Sequence, residues 1–128
     1  MSIRREALYL RDILDAAGSI RRFLNDVDRS QFLSDELLQS GVLQKLIVIA
    51  EAAANIPTDL RNRYPDVPWT QIVGFRHIAV HAYFSVDWEI VWVAASEETP
   101  SLASRISEIV TVEFPDLRLH DSEDSPSP

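Results

Sequence analysis

The stretch DELLQSGVLQKLIVIAEAAANI, residues 35–56, decides the fold of this 128-residue chain. Its apolar side chains recur every three or four positions, which is the spacing of one face of a helix. Pro57 and Thr58 follow it and end the pattern, because proline cannot continue a helix. We therefore predict a long helix over about residues 35–56. Its inward residues are Leu38, Val42, Leu43, Leu46, Ile47, Ala50 and Ala54.

The same period recurs on both sides of this segment and predicts an all-α bundle built on a long antiparallel helix pair. Glycine is scarce, with three residues in the chain, so breaks between helices are few. Thr58 is expected to cap a short helix, Pro68 to open the next, and Thr99-Pro100 to start the last. The predicted helices cover about residues 4–24, one turn around Phe32, and residues 35–56, 58–64, 68–81, 88–93 and 99–113, with Ser85 or Asp87 capping the sixth.

Length and composition predict one helical domain over residues 1–114, followed by an acidic, Ser/Pro-rich tail over residues 115–128. A chain of this size can bury one modest hydrophobic core. The tail loses the apolar pattern and is expected to lack a fixed structure. The first residues lack the apolar core of a secretory signal, and no uncharged apolar run approaches the roughly 18 residues of a membrane span. The sequence therefore predicts a soluble cytoplasmic protein with no membrane partner.

The charge distribution limits the partners that the protein can bind. A net charge of −8 argues against a broad electrostatic grip on nucleic acid, DNA in particular. Residues 57–84 carry three arginines against two aspartates, a net charge of +1. Any anion site is therefore expected to be small and local, within this segment.

That segment contains the octapeptide RHIAVHAY, residues 76–83, which combines a fixed cation, two imidazoles and a phenol. On a helical wheel, Arg76 falls in the middle of an apolar arc, where an unpaired guanidinium would be costly to bury. Two interpretations are open. Arg76 forms an ion pair, for which Glu51 is the candidate partner, or it lines a cleft and binds phosphate oxygens bidentately. The arc consists of Trp69, Ile72, Val73, Ala79 and Val80.

The neighbouring histidines and tyrosine also admit a structural and a functional interpretation. His77 and His81 are four residues apart, a spacing that suits a two-histidine metal site, but a third ligand is missing and the chain has no cysteine. His81 can instead act as a general acid or base. Tyr83 lies seven residues after Arg76 and would share its face if the helix continued, although a packed tyrosine with a wet hydroxyl is the commoner case.

Arg76-x4-His81-x-Tyr83 resembles the signature of the HepT-like toxins, which are minimal members of the HEPN ribonuclease superfamily. The resemblance covers roughly residues 6–113 and does not include the acidic tail. It is carried by further segments in the same order along the chain. These are residues 9–14 (YLRDIL), 35–39 (DELLQ), 49–53 (IAEAA), 61–65 (RNRYP), 68–69 (PW), Ile72 and 87–92 (DWEIVW).

The resemblance implies an endoribonuclease toxin that needs no metal or other cofactor and acts as a homodimer, its two motif helices meeting at a shared cleft. It implies that Arg76 binds the scissile phosphate, that His81 transfers the proton, and that His77 orients the RNA, with tRNA one candidate substrate. It also implies a minimal nucleotidyltransferase antitoxin that forms a heteromeric complex with the toxin and transfers AMP onto Tyr83.

Two other functions compete with this one. The first is a non-catalytic helical partner of a nucleotidyltransferase, which would bind that protein and cleave nothing. The second is a small metal-dependent hydrolase that uses His77 and His81, whose activity a chelator would abolish.

Overall fold

The computed structural model describes residues 3–81 and 85–116, and within these ranges it contains helices and no strand. The predicted all-α fold class is confirmed. The helices are α1 (Ile3–Phe23), α2 (Arg29–Leu33), α3 (Glu36–Ala54), α4 (Thr58–Arg63), α5 (Trp69–His81), α6 (Trp88–Val93) and α7 (Thr99–Glu113), with a π-helical turn at Ala94–Glu98. Residues 117–128, most of the predicted tail, lie outside the described ranges.

Helix α3 lies at the centre of the bundle because its apolar side chains cover more than one face. It packs against α1 on one side and against α5 on the other, while α7 packs against α1. The predicted inward set omitted Ile49, Ala52 and Ala53, which are buried because α3 has two helical neighbours. By length and composition alone α3 could cross a membrane, yet it is the core helix of this bundle.

A buried glutamine connects the short helix α2 to this core. The side-chain amide of Gln39 donates to the carbonyl oxygens of Phe32 (3.0 Å) and Leu33 (3.1 Å), so it is satisfied although buried. Phe32 is itself fully buried and contacts the rings of Trp88 and Trp92, at centroid distances of 6.3 and 5.5 Å. The turn predicted around Phe32 is thus a helix that joins α3 to α6.

Two predicted helix starts differ from the structure. Thr58 does not cap α4. It is the first residue of the helix, Pro57 occupies the cap position, and no side chain supplies a capping hydrogen bond. Pro68 precedes α5, and its carbonyl accepts the first helical hydrogen bond, from the Ile72 N–H at 3.0 Å. In both cases proline takes the position just before the helix, where its missing N–H costs nothing.

The last helix begins at Thr99 and ends at Glu113, as the Thr99-Pro100 signal predicted, but no break in helical backbone precedes it. Backbone dihedrals at Val93, Ala94, Glu98 and Thr99 are all right-handed helical, so the chain runs as one helix from 88 to 113. Pro100 has no N–H and its ring would clash with the carbonyl four residues earlier in a regular α-helix. The wider π-helical turn relieves this conflict, and the Thr99 hydroxyl donates to the Ala94 carbonyl at 2.7 Å.

Candidate functional site

Helix α5 is fixed at its N-terminal end by a buried tryptophan. Trp69 is 7% exposed, and its indole N–H donates to the Tyr64 carbonyl at 3.0 Å. From this anchor α5 extends along α3, its one extensive helical neighbour in the described part of the chain. The helix is thereby held at a defined position while much of its surface stays uncovered by this protomer.

Arg76 lies on that uncovered surface. Its side chain is 46% exposed, and its Nε lies 3.4 Å from Oε2 of Glu51, whose side chain is 56% exposed. The predicted partner carboxylate is therefore adjacent, but the pair is open to solvent. An exposed ion pair at this distance contributes little to stability. The guanidinium is therefore open to solvent and accessible to another anion.

The other predicted site residues are described to different extents. His77 is exposed on α5, one residue and about 100° around the helix from Arg76. His81 is the last residue of α5, and its side chain lies outside the described part of the structure. Tyr83 also lies outside the described residues. The structure thus positions Arg76, His77 and Glu51, and the roles of His81 and Tyr83 remain predictions.

A second polar cluster, which the sequence did not indicate, joins α4 to the end of α7. Arg63 donates to both oxygens of Glu113, at 3.1 and 2.7 Å, and the Tyr64 hydroxyl donates to the same carboxylate at 2.5 Å. The hydrogen bond from Arg63, and then that from Tyr64, lowers the pKa of Glu113. The bond to Glu113 raises the pKa of Tyr64. Glu113 is 16% exposed and fully engaged, so this cluster is a structural clamp.

Arg105 extends this clamp. Its Nε and Nη2 donate to the two oxygens of Asp66 at 2.7 and 3.2 Å, and its Nη1 donates to Glu108 at 2.9 Å. The guanidinium carbon also lies 5.3 Å from the centroid of the Tyr64 ring. The hydrogen bond from Arg105 lowers the pKa of Asp66. Arg105 is therefore saturated with partners, whereas Arg76 has one loose partner.

The described part of the chain brings no three histidine or carboxylate side chains together as metal ligands. What the exposed face of α5 offers instead is a permanent cation beside an imidazole. A guanidinium can bind a phosphate through two hydrogen bonds, and an imidazole beside it can add a further polar contact. These groups suit phosphoryl-transfer chemistry.

The structure thus has an all-α bundle in which Arg76 is exposed on the helix that also carries His77 and His81. A comparison with family models matches residues 13–109 to the family described as ribonuclease HepT-like. The matched residues include the whole of α3 and the whole of α5. This chain belongs to the HepT-like family, and it is an RNA-cleaving enzyme.

Named relatives agree with this assignment. The probable ribonuclease HepT of Thermococcus cleftensis is 35% identical over 101 residues, which cover 79% of this chain and 92% of that protein. A Methanocaldococcus jannaschii protein, whose name gives RNase as a provisional activity, is 34% identical over 106 residues. These residues cover 83% of this chain and 97% of that protein. A protein from Caldanaerobacter subterraneus, named in the same way, is 30% identical over 105 residues, which cover 82% of this chain and 94% of that protein. No solved structure matches this chain.

Proposed function

We propose that this ribonuclease is the toxin of a cytoplasmic toxin–antitoxin pair and that it cleaves RNA, without a metal ion, at a site shared by two copies of the chain. Arg76 and His81 carry the reaction, and His77 orients the substrate. The observation that carries the proposal is the exposed guanidinium of Arg76 on the helix that bears the family motif.

The role of Arg76 follows from its weak attachment to Glu51. A phosphate diester can replace a half-exposed carboxylate 3.4 Å away at little cost. The planar guanidinium then donates two hydrogen bonds to the non-bridging oxygens. Because charge on these oxygens grows in the transition state, the interaction strengthens as the reaction proceeds.

His81 lies at the C-terminal end of α5, five residues after Arg76. In the proposed reaction an imidazole takes the proton from the ribose 2′-hydroxyl, whose oxygen attacks the adjacent phosphorus, and the bond to the 5′-oxygen breaks. The imidazolium thus formed gives this proton to the leaving 5′-oxygen, and the products are a 2′,3′-cyclic phosphate and a 5′-hydroxyl end. An imidazole suits this transfer because its protonation changes near neutral pH.

Dimerisation would complete the site. Helix α3 is the one extensive helical neighbour of α5 in the described part of the chain, and apolar side chains of α5 remain partly exposed. Val73, about 60° around the helix from Arg76, is half-buried in the single protomer. A second copy of α5 would cover this face and would place two Arg76 side chains at one cleft, consistent with a symmetric interface.

We further propose that a nucleotidyltransferase antitoxin controls this site. It would transfer AMP from ATP onto the hydroxyl of Tyr83, with release of pyrophosphate. Each AMP adds bulk and a negative charge two residues beyond His81. That charge would compete with RNA for Arg76, because both ligands are phosphates.

Cleavage tests the catalytic proposal. Purified wild-type protein is expected to cut RNA in excess chelator, and Arg76→Ala and His81→Ala to slow the cut by about 10²–10⁴-fold. Both variants are expected to remain dimers by analytical ultracentrifugation, with unchanged helical circular dichroism. Parental rates in either variant would refute the catalytic assignment. An inert wild-type protein that still bound its nucleotidyltransferase would favour the non-catalytic alternative, and activity lost in chelator would favour a metal-dependent hydrolase.

Intact-mass spectrometry tests the regulatory proposal. With the nucleotidyltransferase and ATP, the wild-type mass is expected to rise by whole AMP units, and Tyr83→Phe is expected to remain unlabelled. Tyr9→Phe is the matched control, because Tyr9 lies on α1 and should leave labelling intact. Labelling of Tyr83→Phe at the wild-type stoichiometry would contradict the assignment.

A further inference from the structure

One side of the helical bundle is open. Helix pairs α1–α3, α3–α5 and α1–α7 pack closely, but α5 and the continuous α6–α7 helix make no extensive contact in the described part of the chain. Between them lies a groove with a volume of about 620 Å³. Leu46 and Ile49 of α3 form its floor.

The walls of the groove are mainly apolar. Ile72 and Phe75 line it from α5, and Ala94 and Leu102 line it from the opposite helix. Ile90 lies one helical turn before Ala94, on the same side of its helix, and is 58% exposed. The apolar surface therefore continues beyond the groove for about one more turn, longer than a compact ligand needs.

The rim of the groove is acidic. Glu97 and Glu98 are exposed at the π-helical turn, and neither forms an ion pair within residues 3–81 and 85–116. Arg105 also lines the groove, but its charge is held by Asp66 and Glu108. The groove therefore presents unpaired negative charge next to an apolar floor.

The apolar floor and the acidic rim together indicate which kind of ligand the groove binds. RNA, a polyanion, would be repelled by the unpaired carboxylates of Glu97 and Glu98, whereas a cationic partner segment would be attracted to them. We propose that the groove binds an amphipathic helix of a partner protein, with apolar residues at i, i+3, i+4 and i+7 and lysines or arginines alongside. The apolar side chains would fill the groove, and the cations would pair with Glu97 and Glu98.

Such a partner would contact α5 through Ile72 and Phe75. Phe75 precedes Arg76 directly, but it points about 100° away, into the groove. Ile72, which also lines the groove, lies about 40° from Arg76 around the helix, so the groove borders the face that carries the guanidinium without including it. The docking proposal does not depend on the cleavage chemistry and can be tested on catalytically inactive protein.

The probe is a synthetic helix of about 15 residues with leucines on one face and lysines on the other. It is titrated into ¹⁵N-labelled Arg76→Ala protein at physiological ionic strength. We expect amide shifts concentrated at Gln71, Ile72, Phe75, Ser101 and Leu102, which line the groove. The same peptide with glutamates in place of lysines is expected not to bind.

Two double variants separate docking from general attraction to an acidic protein. Glu97→Gln with Glu98→Gln is expected to weaken binding about tenfold. Glu36→Gln with Asp59→Asn removes the same charge away from the groove and is expected to leave affinity unchanged. Equal weakening by both pairs, or shifts spread over α1, would overturn the proposal. Concentration-dependent shifts at the groove without peptide would also overturn it, since a second copy would then be the occupant.

Discussion

The two sides of α3 differ in how completely they are covered. Toward α1 and α7 the core is closed, and Leu10, Ile13 and Ile106 have no exposed surface. On the other side, α5 packs extensively against α3 alone among the described helices, and the side chain of Arg76 on α5 is about half exposed. The closed side supplies stability, and the open side carries the surfaces at which we propose that RNA and a partner bind.

The two arginines Arg105 and Arg76 express the same difference. Arg105 is bound by two carboxylates and lies over an aromatic ring. Arg76 has one carboxylate at 3.4 Å. An arginine saturated by the protein stabilises the fold, and one with a loose partner is free to bind a ligand.

Matched isoleucine truncations give the largest effect on stability. Ile13→Ala on the closed side is expected to lower the free energy of unfolding by about 2–5 kcal/mol, because the residue is fully buried and leaves a cavity. Ile78→Ala on half-covered α5 should cost clearly less. Urea unfolding monitored by circular dichroism measures both. Equal losses would mean that α5 is as closely packed as the core.

The carboxylate clamp on the closed side predicts a loss of stability in acid. The folded pKa of Glu113 lies below its usual 4.5, so its contribution is complete above that value and declines as pH falls through the folded pKa. Glu113→Gln should lower stability by about 1.5–3 kcal/mol at neutral pH and flatten this acid limb. Urea unfolding between neutral pH and pH 3 measures the slope. The exposed Glu36→Gln serves as control, and an unchanged slope in Glu113→Gln would contradict the clamp.

A smaller effect is expected at the π-helical turn. Thr99→Val removes the buried hydrogen bond to the Ala94 carbonyl and should cost about 1 kcal/mol. Thr111 makes a similar bond to Ser107 on the exposed face of α7, so Thr111→Val should have almost no effect. Thermal unfolding of the two variants compares them directly. If Thr99→Val is as stable as Thr111→Val, the turn does not need this bond.

The smallest effect is expected for the carboxylate beside Arg76. Glu51→Gln should change the free energy of unfolding by less than about 1 kcal/mol, because both partners are about half exposed. Urea titration at low and at high salt checks this result. A larger loss would show that Arg76 belongs to the structural network of the fold.

Local pattern predicted the long helices because their period is visible in the sequence. The bounds of α3 and α5 agree with the structure to within about two residues. The start of α7 at Thr99 was predicted, but the π-helical turn before it was missed, because a helix-start signal also indicates a break in the preceding helix. The contact of Tyr64 with Glu113 joins residues far apart in sequence, so no local signal could reveal it.

At the candidate site, the spacing of apolar residues predicted helix α5 correctly, but it did not predict how far the side chain of Arg76 is exposed. The arc around Arg76 predicted a cation on an apolar face, and Glu51 was named as its neighbour from position alone. The exposure of Arg76 could not be predicted, because it depends on which sides of α5 other helices cover. The groove arises from the same missing contact between α5 and α7.

The most direct test of the account measures RNA cleavage in chelator and thermal unfolding for Arg76→Ala and Arg105→Ala in parallel. We predict that Arg76→Ala loses at least about a hundredfold in cleavage rate and unfolds at the wild-type temperature. We predict that Arg105→Ala unfolds at a lower temperature and cleaves RNA at the wild-type rate when folded. An active but destabilised Arg76→Ala would show that this arginine serves the fold and would contradict the proposed catalytic site.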